Sequence, residues 1–366
     1  MTPDAATDAL LALFAREGYA RVEPPVLQPA DVFLDLSGED LRRRMFVTQD
    51  ADGRELCLRP EYTIPVCRLH LAVHGARPAG YSYRGPVFRL RTEATGEFLQ
   101  AGVESIGRPD APATDAEIIS LALEGLETLG LAGATVRLGD MGLLGAVVEA
   151  LGLTPATRRR VTRAIVSGRG LATLSGPDAG SASPEYAGLL AAIEGQAPQA
   201  AKAFVEDIIA IAGIARVGGR TAGEIAERFL ARAANPSGLP DEARGVLGRY
   251  LAIQGDPDRA AQNMRDLAHD ARLDLGRALD AFETRVGFMA ARGLDVTAFA
   301  FAADFARNLD YYTGFIFEAH DPRRPGQPVV GGGRYDGLLQ HLGAGSPVPA
   351  VGCSFWLDRI LDEAGP

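Results

Sequence analysis

Two short runs carry the reading of this chain: Arg307-Asn308-Leu309-Asp310-Tyr311-Tyr312-Thr313-Gly314 and, shortly after it, Gly331-Gly332-Gly333-Arg334-Tyr335-Asp336-Gly337. The first gathers an arginine, a carboxylate and two phenols where a strand begins. Arginine can hold a carboxylate or phosphate in a fork, and tyrosine offers a flat apolar body with a polar tip. A turn whose tyrosines pack in the core has the same composition. The second run lets backbone approach a ligand closely and ends at a helix start. A tight strand-to-helix turn needs the same residues. Strands are predicted at 298–302, 311–318 and 329–331, and a closing helix over 355–363 with Ser354 as its N-cap.

Working back from these runs, the N-terminal part also mixes helix and strand. Leu10, Leu13 and Phe14 recur at helical spacing up to a C-cap at Gly18, and Pro24-Pro25 then excludes helix. Residues 45–48 and 55–58 read as a hairpin around Asp52-Gly53, followed by a helix carrying Ile64, Val66, Leu69 and Leu71. A second hairpin joins 87–91 to 98–106. Thr114 and Glu117 form a capping box for a helix reaching Leu129, and 134–138 is another strand. From 141 the texture turns alanine-rich and helical, as in Val161/Ala164/Ile165, Leu189/Leu190/Ile193 and Ile208/Ile209. The expectation is an α+β domain made of 1–140 and 295–366, interrupted by a helical insertion domain at 141–294.

The chain has 366 residues, 47% apolar and 23% charged, which suits two folded domains rather than disorder. Its formal charge of −10 argues against wrapping a nucleic-acid backbone. Lys202 is the sole lysine and sits in no phosphate-loop, kinase or Schiff-base motif, so those classes are excluded. Any bound phosphate or carboxylate must be held by arginine or backbone amides. Cys57, Cys67 and Cys353 are widely spaced and form no CxxC, which reads as three buried thiols in a reducing compartment. The histidines form no metal-ligand cluster; His70 and His74, four apart, read as a solvated helix face. No signal segment and no apolar run of membrane-spanning length is found, so a cytoplasmic protein is expected.

Alternate side chains on a strand share a face. Arg89 and Arg91 therefore point one way with Phe88 and Leu90 behind them, and Gln100, Gly102 and Glu104 share a face in the partner strand. Gly102 would leave a gap between two polar groups, suited to a ligand bearing an ammonium, with Glu104 as counter-charge. An ordinary solvent-facing sheet alternates in the same way. Glu61 and Thr63, at the mouth of a helix, fit a site or a helix cap equally.

Taken in order, Leu58-Arg59-Pro60-Glu61, Phe88-Arg89, Gln100 through Glu104, Arg307 through Gly314, Gly331 through Gly337 and Val351-Gly352 through Arg359 resemble the catalytic domain of class II aminoacyl-tRNA synthetases of the histidyl type. Pro24-Pro25 resembles that class's first motif, at its dimer interface. The resemblance covers most of 1–140 and 295–362. It implies an antiparallel sheet flanked by helices and histidine as ligand. Glu61, Thr63, Gln100, Glu104, Tyr311 and Tyr312 fall on the family's amino-acid-binding positions, and Arg307 on its catalytic arginine. Arg89 and Arg359 fall on an ATP site.

The departures from the pattern point away from aminoacylation. The anticodon-binding domain of about 100 residues that follows the third motif in the family is expected to be absent. The second-motif loop is shortened to Thr92-Glu93-Ala94-Thr95-Gly96-Glu97, without arginine; Arg91 stands where a glutamate helps hold adenine; and Trp356 replaces a glycine beside the ATP pocket. Added acid and a lost cation oppose a triphosphate. The pattern resembles the regulatory subunits of ATP phosphoribosyltransferase, histidyl-synthetase-like proteins that do no chemistry. It implies a dimer within a hetero-oligomer, a short-form catalytic subunit as partner, and histidine feedback in the first step of histidine biosynthesis. No cofactor, metal, tRNA or membrane partner is implied. Two other readings stay open. One is a synthetase paralogue that activates an amino acid with ATP for a non-tRNA acceptor, the other a tRNA-binding or stress-sensing domain.

Overall fold

The computed structural model describes residues 3–36, 39–75, 77–91, 95–168, 170–171, 239–307, 311–324 and 326–361. The strands are β1 (Ala20–Arg21), β2 (Leu27–Pro29), β3 (Val47–Gln49), β4 (Glu55–Leu58), β5 (Ala79–Phe88), β6 (Glu97–Ile106), β7 (Thr135–Asp140), β8 (Gln254–Gly255), β9 (Ala300–Ala302), β10 (Phe315–His320), β11 (Pro328–Arg334) and β12 (Ala350–Trp356). The helices are α1 (Pro3–Arg16), α2 (Asp31–Leu36), α3 (Glu39–Arg43), α4 (Thr63–Val73), α5 (Ala111–Thr128), α6 (Met141–Ala150), α7 (Pro155–Val166), α8 (Asp241–Leu251), α9 (Pro257–Ala271), α10 (Gly276–Ala291), α11 (Leu338–His341) and α12 (Leu357–Ile360).

Nine strands form one sheet in the order β1-β5-β6-β12-β11-β10-β7-β9-β8, and β2-β4-β3 form a second, smaller one. The large sheet is antiparallel except where β1 joins β5 and β9 joins β7. Its longest pairing is the β5–β6 hairpin, from Ala79 opposite Ile106 to Phe88 opposite Glu97. Helices α1, α5 and α10 pack on one face. Gly125 of α5 lets that helix close on Phe355 and Leu10, where a β-carbon would stand 2.7 and 2.9 Å from them. The other face meets α4 and α11 through a core containing Tyr62, Ile64, Tyr81, Tyr83, Phe98, Tyr335 and Leu338.

The chain divides into two compact units, residues 1–158 with 246–366, and residues 159–245. The first takes in α6, α9 and α10, parts of the stretch that composition set apart. Its tie to α10 is a buried ion network. Arg285 donates to Asp115 of α5 (2.8 Å) and to Asp140 (2.6 Å), while Arg334 at the end of β11 donates to Asp115 (2.8 Å) and Asp336 (2.9 Å). In the second unit Val161, Ala164 and Ile165 of α7 are buried, as their spacing predicts. The runs at 189–193 and 208–209 lie outside the described residues.

Several local expectations hold. Gly18 takes a φ of +87° after α1, whose Leu10, Leu13 and Phe14 are buried, and Gly53 takes +78° in the β3–β4 turn. Others are corrected. β5 begins well before Val87 and ends at Phe88, because the Leu90 N–H turns away to Arg44 O (2.7 Å) instead of following β6. Leu90 is consequently 45% exposed rather than packed behind the arginines. α5 begins at Ala111, so Thr114 lies inside it and returns its hydroxyl to Asp110 O (2.9 Å). Glu117 pairs with Arg108 (2.7 Å) and accepts from the Tyr19 hydroxyl (2.8 Å) instead of closing a capping box. β12 runs on through Trp356, so Ser354 is a strand residue and helix begins only at Leu357. His70 is fully buried, with Nδ1 2.9 Å from the Tyr81 hydroxyl, so α4 packs inward where a solvated face was expected.

Candidate functional site

Strand register builds the site. One row of side chains crosses the large sheet from Tyr83 (β5) through Gly102 (β6), Ser354 (β12) and Gly331 (β11) to Glu318 (β10). The next row runs Tyr81, Glu104, Gly352, Gly333, Ile316. Where glycine occupies a row, no side chain rises from the sheet, and a trough opens between the flanking strands. A β-carbon on Gly331 would overlap the guanidinium of Arg307, and one on Gly352 the carboxyl of Glu104. These glycines thus make room for this chain's own polar groups.

Above the trough lies a cavity of about 310 Å³. Glu61, Thr63, Gln100, Arg307, Tyr311 and Tyr312 line it, together with Arg89 and Arg359. Glu104 does not. It lies beneath the surface, with its carboxyl accepting from Thr63 Oγ1 (2.8 Å), the Tyr83 hydroxyl (3.3 Å) and the Tyr335 hydroxyl.

Glu61 accepts from the N–H groups of Thr63 (2.6 Å) and Ile64 (2.8 Å), two of the open donors at the start of α4. It therefore caps a helix and faces the cavity at once. Burial raises its pKa, against the pull of those N–H groups and of Arg89. Gln100, which lines the same cavity, is buried with Oε1 unpartnered.

The cavity is also arginine-rich. Arg89 donates to Pro60 O (2.7 Å), and Arg89 and Arg91 both lie against Phe98, with the guanidinium carbons 5.5 and 3.9 Å from the ring centre. Arg307 lies flat over Gly331, donates to Phe317 O (3.2 Å) and has Nε 3.7 Å from Glu318. Arg307 and Arg359 both approach the Trp356 ring, at 5.7 and 4.6 Å. Burial, with neighbouring arginines adding to it, lowers Arg89 and Arg359 to about 10, so both stay charged at neutral pH.

Sequence reasoning missed Arg44, Glu318, Tyr335 and Ser354, which also line the cavity. Glu318 alternates with buried Phe317 and Phe315 on β10, a signal that was readable; Ser354 needed the cross-strand register, and Tyr335 follows the end of β11. Residues 92–94 of the shortened 92–97 loop lie outside the described residues. Among the described residues no group of three or more His, Cys, Asp or Glu is placed to hold a metal ion, and no helix is long and apolar enough to cross a membrane.

A histidyl-type motif order on an antiparallel sheet, with this cavity on one face, defines a class II synthetase-like domain. The family profile described as histidyl-tRNA synthetase matches residues 3–211 and 224–360. An ATP phosphoribosyltransferase regulatory subunit from Brucella ovis is 41% identical over 360 residues, spanning 96% of this chain and 95% of that one. The chain belongs to the histidyl-tRNA synthetase-like family of ATP phosphoribosyltransferase regulatory subunits. Among solved structures, an ATP phosphoribosyltransferase regulatory subunit/histidyl-tRNA synthetase from Bacillus halodurans superposes with a TM-score of 0.69 at 22% identity, covering 100% of this chain and 79% of that one. A histidyl-tRNA synthetase from Nostoc gives 0.64 at 16% identity, with 98% and 70% covered. These two likenesses bear on the fold.

Proposed function

We propose that this chain is the non-catalytic regulatory subunit of an ATP phosphoribosyltransferase, that it activates a short-form catalytic subunit, and that it mediates inhibition by histidine. The observation that carries the ligand part is the polarity of the cavity. Glu61 and the Gln100 carbonyl oxygen offer acceptors for an ammonium and an imidazole N–H, and Arg307 offers a fork for a carboxylate. Trp356, lying against both Arg307 and Arg359 in the cavity lining, adds bulk that weighs against a nucleotide there. The name and near-complete span of the Brucella relative support the partner.

Regulation then is a coupling free energy: histidine must bind one state of the hetero-oligomer better than another. We place self-association on the β2-β4-β3 side, where Leu27 and Val47 are 49% and 53% exposed. The three buried free cysteines fit a reducing cytoplasm. The test mixes the chain with a short-form catalytic subunit from the same organism and follows turnover with and without histidine. Activation on mixing that histidine reverses is expected. Proteins that neither associate nor change the rate would sink the reading, and amino-acid-dependent pyrophosphate exchange would then favour the synthetase paralogue.

A further inference from the structure

Helix α7 carries four arginines in six residues, Arg158, Arg159, Arg160 and Arg163, in a chain whose net charge is −10. At about 100° of turn per residue, Arg159, Arg163 and Arg160 fall within roughly one third of the helix circumference. The buried Val161, Ala164 and Ile165 occupy the opposite side. The three arginines thus share the outward face, with Arg159 and Arg163 exposed and Arg160 partly so. Spacings of three and four residues set them side by side on adjoining turns, where like charges repel and weaken a helix.

No described residue relieves that repulsion. Arg158 reaches Glu149 at 3.6 Å, but Arg159, Arg160 and Arg163 form no ion pair among the described residues. Outward arginines on other helices do find carboxylates, as Arg16 does with Glu124 (2.6 Å) and Arg249 with Asp270 (2.7 Å). The apolar side of α7 supplies its burial, so the cationic side costs stability without serving the fold. An anion from outside the chain accounts for it.

We propose that this face of α7 is a docking surface for a carboxylate-rich patch on the catalytic subunit, the partner that rests on the function proposed above. A guanidinium takes a carboxylate through two parallel N–H bonds, and three such forks in a row match clustered Asp and Glu side chains. From Arg159 to Arg163 the patch rises only about 6 Å along the helix axis, the reach of one acidic turn or loop. A phosphate backbone needs a longer basic track, and the charge of −10 repels it at a distance. Exposed charges facing each other across an interface steer encounter and fix orientation more than they add final affinity. Association rate and its salt dependence therefore report this surface.

The test uses the full chain and the short-form catalytic subunit from the same organism, with association followed by biolayer interferometry. Arg159→Glu/Arg163→Glu is expected to slow association about 10- to 100-fold in about 50 mM salt. The gap should shrink to about threefold or less near 500 mM, where exposed charges are screened. Arg159→Gln/Arg163→Gln should fall between. Arg259→Glu/Arg277→Glu makes the same charge change at exposed positions on α9 and α10, and is expected to alter the rate by less than about threefold. Circular dichroism and thermal melting confirm the fold of each variant. An unchanged rate in the α7 variant, or an equal loss in the α9–α10 variant, overturns the proposal. A tRNA mobility shift removed by the α7 variant, with subunit association intact, overturns it in favour of nucleic acid. Wild type that never associates removes the regulatory reading and this docking site together, whereas equal association of wild type and the α7 variant removes the docking site alone.

Discussion

Replacing Asp115 by alanine is expected to destabilise the sheet-bearing unit by about 3–5 kcal/mol. The Asp115 carboxylate accepts Arg285 Nε at 2.8 Å, and Arg334 Nε and Nη2 at 2.8 and 2.7 Å. Three charged donors thus lose their acceptor, each such bond being worth roughly 1.5–3 kcal/mol. The simple total overshoots, because Arg285 keeps Asp140 and Arg334 keeps Asp336, so neither guanidinium is stranded. Retreat into water is closed to both, their side chains being only 8% and 6% exposed. Urea unfolding followed by Trp356 fluorescence measures the effect cleanly, since this single tryptophan lies on β12 of the same unit. Asp115→Asn, retaining one acceptor oxygen, should fall between wild type and alanine. Burial also implies that the difference survives about 1 M salt, where surface pairs are screened. A loss below about 1 kcal/mol for alanine, or one that vanishes in salt, would refute the reasoning.

Two further perturbations probe the site and its surroundings. Gly331→Val puts a branched side chain where the Arg307 guanidinium lies, so Arg307 must leave the Phe317 carbonyl; histidine affinity should drop roughly 10- to 100-fold, with a stability cost of about 1–3 kcal/mol. Calorimetry reads the first and urea unfolding the second, and unchanged affinity would show that Arg307 does not anchor the ligand. His70 is buried with Nε2 unpartnered, and burial, with His74 adding to it, lowers its pKa. The native state then binds fewer protons than the unfolded state, so stability is full above about pH 6.5 and declines as pH falls below it. Urea midpoints for wild type and His70→Gln at pH 7.5 and 5.5 should diverge in slope; parallel behaviour would remove His70 as the cause.

What was legible in the amino-acid sequence follows from the range of the forces involved. Alternation along β6 put Gln100, Gly102 and Glu104 on one face because that depends only on neighbours two apart. It could not show that the Tyr83 hydroxyl and Cys353 backbone fill the space over Gly102, since they arrive from two other strands. Glu104 therefore read as a counter-charge for the ligand, yet sits behind Thr63 and Tyr335. Glycines 331 and 333 signalled close approach correctly, but what approaches Gly331 is Arg307 of the same chain. Helix and strand ends were missed where a distant partner claimed a backbone group, as Arg44 O does with Leu90 N–H. His70 read as solvated because its cover, Tyr81, comes from β5. The motif order carried the family because it records the sheet's contacts indirectly.

The strand order also dictates when the protein can fold. β6 is ten residues long, and its partner on the side away from β5 is β12, whose pairing runs from Ala350 opposite Ile106 to Trp356 opposite Gln100. During synthesis the ribosome completes β6 about 250 residues before β12 exists, which at roughly 5–20 residues per second is tens of seconds. Through that interval the nascent hairpin presents an open, largely apolar edge to other chains. Chains released before Ala350 should self-associate through it, which light scattering of such fragments would report, and full-length yield should depend on shielding that edge until the last strand arrives.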